Sequence, residues 1–155
     1  MSQPGTKMPD AAPVAVDLDG LIDFYQTLRP ETIPDFARFY AEDAYFRDPF
    51  NEVRGLVAIE RIFTHLFRQV GEPRFVVLER VVDAGGACLI WEFYYRMRLW
   101  GRGETQVMRG ATHLRFAADG RVVWHRDYWD AAEELYAHLP AVGPLMRGLR
   151  RLLSA

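Results

Sequence analysis

The chain has 155 residues, 19 basic and 21 acidic side chains, four His and a single Cys, giving a formal net charge of −2. One domain of this length buries a core of its own, and a lone Cys excludes an intrachain disulfide framework. The balanced charge excludes the basic field of a nucleic-acid binder, scattered His give no zinc-ligand spacing, and no apolar run reaches the ~20 residues of a membrane span.

Residues 1–16 carry Pro4, Gly5, Pro9 and Pro13 with little apolar content. They read as a disordered leader without the apolar stretch of a signal peptide, which points to a cytoplasmic, reducing setting. Residues 17–155 read as a single domain. Leu21, Phe24, Tyr25 and Leu28 recur at helical spacing behind Asp19 as N-cap. A second helix is expected from Thr32, with Pro34 in its first turn and Ile33, Phe36, Phe39 and Tyr40 on one face. A short strand, 44–47, ends at Asp48-Pro49, and 49–55 reads as a loop. The segment 56–70 makes a third helix with Ile59, Ile62, Phe63, Leu66 and Phe67 on its apolar side.

After Gly71 the period changes from helical to two. Strands are expected over 75–83, 87–100, 105–117 and 121–130, joined by short glycine-containing turns that suit antiparallel hairpins. Ala131–His138 resumes a helical pattern, and Pro140 and Pro144 bound a last amphipathic piece, 142–153. Helices followed by a meander define an α+β class with helices on one face of the sheet. Arg147, Arg150 and Arg151 beside Leu145, Leu149, Leu152 and Leu153 suit either a tail packed on its own domain or a partner, or a membrane-surface helix.

Ten Phe, seven Tyr and four Trp make the chain rich in aromatics. In the second of the four strands, Trp91, Phe93, Tyr95, Met97 and Leu99 alternate with Glu92, Tyr94, Arg96, Arg98 and Trp100. One face is therefore aromatic and the other largely charged. Such a strand either covers a solid core or walls an apolar cavity of the kind that holds small molecules. In the last strand, alternation places His125, Asp127 and Trp129 on one face together with Val123. A carboxylate on an inner face is costly unless bonded or neutral, so Asp127 reads as hydrogen-bonded scaffolding or as a general acid or base; the other reading pairs it with Arg126 or Arg121 at the surface. Asp48 before Pro49 is a turn initiator by residue type and a candidate by position. His113 has the opposite parity from Thr112, Leu114 and Phe116, while His65 and His138 lie on helices. Cys88, without a partner, reads as a structural thiol.

Two segments resemble the superfamily that includes nuclear transport factor 2, ketosteroid isomerase, SnoaL-like polyketide cyclases and limonene-epoxide hydrolase. The first is Tyr40-Ala41-Glu42-Asp43-Ala44, then Asp48-Pro49, then Gly55-Leu56-Val57-Ala58-Ile59; the second runs from Arg121-Val122-Val123 through Arg126-Asp127-Tyr128-Trp129-Asp130. With the order of elements, the likeness covers roughly residues 18–140. It implies a cystatin-like cone, with a curved antiparallel sheet and the N-terminal helices on its concave face. Such folds share architecture and not chemistry. Asp48 matches the isomerase's proton-shuttling Asp, but its oxyanion Tyr falls at Phe24, next to Tyr25, and its protonated oxyanion Asp at Thr112. Asp127 matches the epoxide hydrolase's water-activating Asp, but the Arg-x-Asp that accompanies it falls at Phe93-Tyr94-Tyr95. His125-x-Asp127 is similar to the acid/base region of the cyclases.

The resemblance therefore implies an apolar pocket lined by Tyr25, Trp91, Phe93, Tyr95, Met97, Thr112, His125 and Trp129, with a polyketide, terpenoid, steroid or lipid-derived ligand. Asp127 would act as base or acid, His125 would orient it or share its proton, and Asp48 would be a second carboxylate at the mouth. Tyr25 and Tyr95 would donate to a developing enolate, and neither metal nor cofactor is called for. The rival is a non-catalytic ligand carrier or dimerising scaffold. The resemblance also implies a homodimer through the outer sheet face carrying Tyr94, Arg96, Trp100 and His113.

Overall fold

A computed structural model describes residues 15–98 and 103–131, together with Pro144, Gly148, Arg151 and Leu152. Residues 1–14 of the expected leader, Leu99, Trp100 and nearly all of the expected C-terminal helices lie outside the described residues.

Helix α1 spans Leu18–Gln26 and is capped by Asp17, whose carboxylate accepts the Gly20 N–H. The cap is thus two residues before the expected Asp19. The second helix is not one α-helix. Pro30 and Pro34 withhold amide donors, and the chain runs as a 3₁₀ segment, Pro30–Asp35, into a single α-turn, α2, Phe36–Phe39. Tyr40 is already extended (φ −111°, ψ 141°) and opens strand β1, Tyr40–Arg47. The expected loop contains a short strand, β2, Glu52–Arg54. At its end Gly55, at φ 100°, turns the chain into α3, Leu56–Gln69, in a conformation that disfavours any side chain.

The meander follows as β3 Val70–Asp83, β4 Gly86–Met97, β5 Gln106–Phe116 and β6 Val122–Trp129. The six strands form one sheet in the order β2-β1-β6-β5-β4-β3. All neighbours are antiparallel except β1 and β6, which run parallel. The sheet is therefore mixed and not purely antiparallel. Parallel neighbours need a long crossover, and here α3 and the whole meander provide it.

The inner face is built as the alternation of β4 requires: Ala87, Leu89, Trp91 and Tyr95 are buried, and Phe93 and Met97 half-buried. Against them pack Leu21, Phe24 and Tyr25 of α1, Ile33, Phe36 of α2 and Ile59 of α3. On β6 the parity departs from strict alternation. The pairing slips between Arg115 and Phe116, and this bulge brings Val122, fully buried, to the inner face along with His125, where Val123 was expected. Trp129 is half-buried on the same strand.

The outer face carries stacked Tyr45 and Trp124, with the His113 ring edge-on to Trp124 at 4.9 Å. Burial, then the nearby Arg115, holds the His113 imidazole below its ordinary pKa. Beside them Glu92 accepts from Tyr94 and Arg109, and the Arg74 guanidinium lies over the Tyr94 ring. Cys88 is a free, half-buried thiol.

Candidate functional site

Strand register assembles the site. Across β4, β5 and β6, Trp91 pairs with Gly110 and Gly110 with Trp129; one row along, Leu89 pairs with Thr112 and Thr112 with Asp127. Leu114 faces His125 in the next row. Because inner-face residues recur every second position, Trp91, Thr112, His125, Asp127 and Trp129 converge on one surface.

A continuous hydrogen-bond chain links the first four of these to two tyrosines. The Trp91 Nε1–H donates to Thr112 Oγ1 at 2.8 Å, and the Thr112 hydroxyl donates to Asp127 Oδ1 at 2.5 Å. His125 Nε2 meets the same Oδ1 at 2.9 Å. On the other side of the ring, Nδ1 lies 2.6 Å from Tyr40 Oη, which in turn lies 2.5 Å from Tyr25 Oη. Trp91, Thr112, His125, Tyr25 and Tyr40 are all buried, while 17 % of the Asp127 side chain is exposed. Both bonds to Asp127 fall on Oδ1, and among the described residues Oδ2 takes none. The surface pairing does not form: Arg121 binds Asp119, and Arg126 lies over the Tyr128 ring.

Aromatic rings enclose the chain. Phe46 lies 4.6 Å from the His125 ring, Tyr40 and Tyr25 flank it at 6.0 and 6.3 Å, and Phe75 lies 5.1 Å from Trp91. This burial pushes both tyrosine hydroxyls well above the usual phenol range, and the charge of Asp127 adds to the effect. Both therefore stay protonated at neutral pH and serve as hydrogen-bond donors.

Gly110 makes the Trp91 geometry possible. A methyl group there would come within 2.5 Å of the far edge of the indole and 2.9 Å of the Tyr128 carbonyl. Gly110→Ala should displace Trp91, break its bond to Thr112 and lower stability by about 1–3 kcal/mol, as overpacking does. Urea unfolding and the exchange protection of the Trp91 indole proton check this; an unchanged midpoint with a protected indole would contradict it.

The structure does not join Asp48 to this chain. Its Oδ1 accepts the Phe50 and Asn51 amides at 2.7 and 2.6 Å, and the Asn51 side-chain amide reaches both carboxylate oxygens. Asp48 thus closes the β1–β2 turn, and the loop it holds puts Phe50 5.2 Å from Trp129. Tyr95 is buried and stacks on Phe93 at 5.4 Å. A groove of about 460 Å³ between the 3₁₀ segment and α3, lined by Ile33, Val57 and Phe67 among others, shares no residue with the expected pocket. Among the described residues no three His, Cys, Asp or Glu side chains cluster as metal ligands, and no described helix is long and apolar enough to cross a membrane.

Tyr40 is the site residue that sequence reasoning missed. Its spacing from Phe36 fits a helical face, so it reads as core. The available signal is its hydroxyl, since a buried tyrosine needs a polar partner where phenylalanine would not.

Helices packed across one face of a curved six-stranded sheet define the class of small α+β domains to which this chain conforms. The model of the SnoaL-like domain matches residues 21–125, and the chain belongs to this family. No curated protein matches the sequence. Among solved structures it is similar to an NTF2-like protein of unknown function from Burkholderia pseudomallei, at 16% identity over 77% of this chain and 95% of that one, with a TM-score of 0.66. A putative SnoaL-like polyketide cyclase from Jannaschia sp. gives 16% identity, 81% and 88% coverage and a TM-score of 0.66. An LEH-like epoxide hydrolase of M. tuberculosis gives 15%, 88% and 91%, and 0.60. These likenesses establish an NTF2-like fold.

Proposed function

We infer that the protein is an isomerase or cyclase that moves protons on an apolar small molecule held against the inner face of the sheet. The observation that supports this best is the distribution of bonds on Asp127. Two donors hold Oδ1, leaving Oδ2 of this partly exposed side chain to take or give a proton. Half-buried Trp129, with Phe93 and Met97 farther along the inner face of β4, would form the ligand wall, and Tyr25 and Tyr95 would supply hydrogen bonds to a developing enolate. The ligand class is a polyketide, terpenoid, steroid or lipid-derived compound, and the step uses protein groups alone. Asp48 acts here through the loop that seats Phe50 against Trp129. Epoxide hydrolysis fits less well, because the sequence has Phe93-Tyr94-Tyr95 in place of an Arg-x-Asp.

A second reading, a non-catalytic binding or dimerising module, draws on one fact: among the described residues no buried side-chain nitrogen or oxygen lacks a partner. In either reading the outer face around Tyr94, Arg96 and His113 is the proposed homodimer surface, in a cytoplasmic protein.

The pocket is tested with β-tetralone, an apolar aryl ketone. Its titration should quench tryptophan fluorescence saturably, and Met97→Arg should weaken binding by at least about tenfold, since an unpaired charge would enter the wall. Saturable binding that ignores Met97→Arg would place the ligand elsewhere.

A further inference from the structure

The geometry points to Tyr40 as a positioning residue that carries protons between His125 and Tyr25, making the Tyr25 hydroxyl a second proton port for Asp127. This rests on the reading of Asp127 as an acid or base and adds to it a route by which the carboxyl is reloaded away from its ligand-facing oxygen.

The direction of every bond follows from the donor inventory. A carboxylate only accepts, so with Asp127 ionised Thr112 and His125 Nε2 must both donate to Oδ1. A neutral imidazole that donates at Nε2 accepts at Nδ1, so Tyr40 donates there, and the Tyr40 oxygen accepts from Tyr25. All protons then point toward Asp127. A proton given up by a ligand hydroxyl to Tyr25 Oη, leaving the ligand oxygen as the anion, can pass along the chain. The former Tyr25 proton moves to Tyr40 Oη, the Tyr40 proton to His125 Nδ1, and the Nε2 proton to Asp127 Oδ1. One proton has entered, none has left, and each bond from Tyr25 to Asp127 now points the other way. Tyr25 is left with a hydroxyl proton free for a ligand oxygen. The separations of 2.5, 2.6 and 2.9 Å are all direct hydrogen-bond distances.

The groups facing this path are few. Helix α1 contributes Tyr25 and β1 contributes Tyr40 and the Phe46 ring; Trp91 of β4 and Thr112 of β5 do not titrate, and α2 and α3 supply the Phe36 and Phe63 rings around them. No other described Asp, Glu, Lys or Arg is hydrogen-bonded to a member of the chain.

The test is NMR of the full-length protein carrying ¹³C at tyrosine Cζ and ¹⁵N in histidine, titrated downward from neutral pH. As the Asp127–His125 pair takes up a proton, His125 Nδ1 should change from acceptor to N–H. The Tyr40 and Tyr25 Cζ signals should step at the same midpoint. In Tyr40→Phe the step at Tyr25 should vanish while His125 still titrates. A Tyr25 step that survives in Tyr40→Phe would be a through-space charge effect and would overturn the path. So would a wild-type Tyr25 signal that stays flat through the His125 transition, a result that needs no variant to fold. Neither outcome bears on turnover by Asp127, which is measured separately with Asp127→Asn.

Discussion

His125→Ala should lower the stability of the protein by about 3–5 kcal/mol, read as a shift in the urea unfolding midpoint. The ring is buried among Phe46, Tyr40 and Tyr25, so its removal leaves a cavity that these large side chains cannot easily close. It also strips Tyr40 of its acceptor and Asp127 of one of its two donors. An unsatisfied buried polar group adds about 1–3 kcal/mol to the cavity cost. Set against the 5–15 kcal/mol typical of a whole domain, that loss is a large share. The comparison is Tyr45→Phe, which removes an exposed hydroxyl bonded to Glu52 and should cost well under about 1 kcal/mol. Equal midpoints for the two variants would mean that the His125 ring is not packed and bonded as described.

The parts of the fold that are legible in the sequence are those set by local periodicity. The change from helical to two-residue period after Gly71 marks the end of α3, and the aromatic and charged faces of β4 emerge with the parity that Trp91 to Met97 imply. What local pattern does not encode is partner choice. Nothing in Tyr40–Arg47 says that its neighbour lies some eighty residues on, or that the pairing is parallel. The bulge that turns Val122 inward is equally invisible, because one extra residue in a strand leaves no trace in composition.

The site divides along the same line. Asp127, His125, Thr112 and Trp91 sit on strands whose alternation can be read, and the structure brings them together by register. Tyr40 sits where a helix gives way to a strand, so its periodicity suggests the wrong face. Asp48 shows the opposite failure: its residue type, just before a proline, fits both a turn and an acid, and the structure shows its carboxylate bonded within the turn. Tyr25 joins the chain one residue along from Phe24, where the isomerase resemblance places an oxyanion tyrosine.

Asp127→Asn carries the largest expected effect on activity. The amide keeps the size of the side chain and can still accept from Thr112 or His125, so the fold and the apolar wall should survive. What it cannot do is take a proton from carbon. General acid–base catalysis by a positioned side chain contributes about 10²–10⁴-fold, equivalent to about 3–5.5 kcal/mol in the barrier. Fluorescence quenching by β-tetralone should therefore be retained in the variant while proton transfer is lost.

The most direct measurement is the rate at which the α-protons of bound β-tetralone are replaced by deuterium in D₂O, followed by ¹H NMR. The wild type should raise this rate above that of buffer, and Asp127→Asn should reduce the enzymatic part by about 10²–10⁴-fold with binding intact. Equal exchange in the two proteins, or binding with no exchange above buffer in the wild type, would contradict proton transfer by Asp127 and leave the protein a binding module.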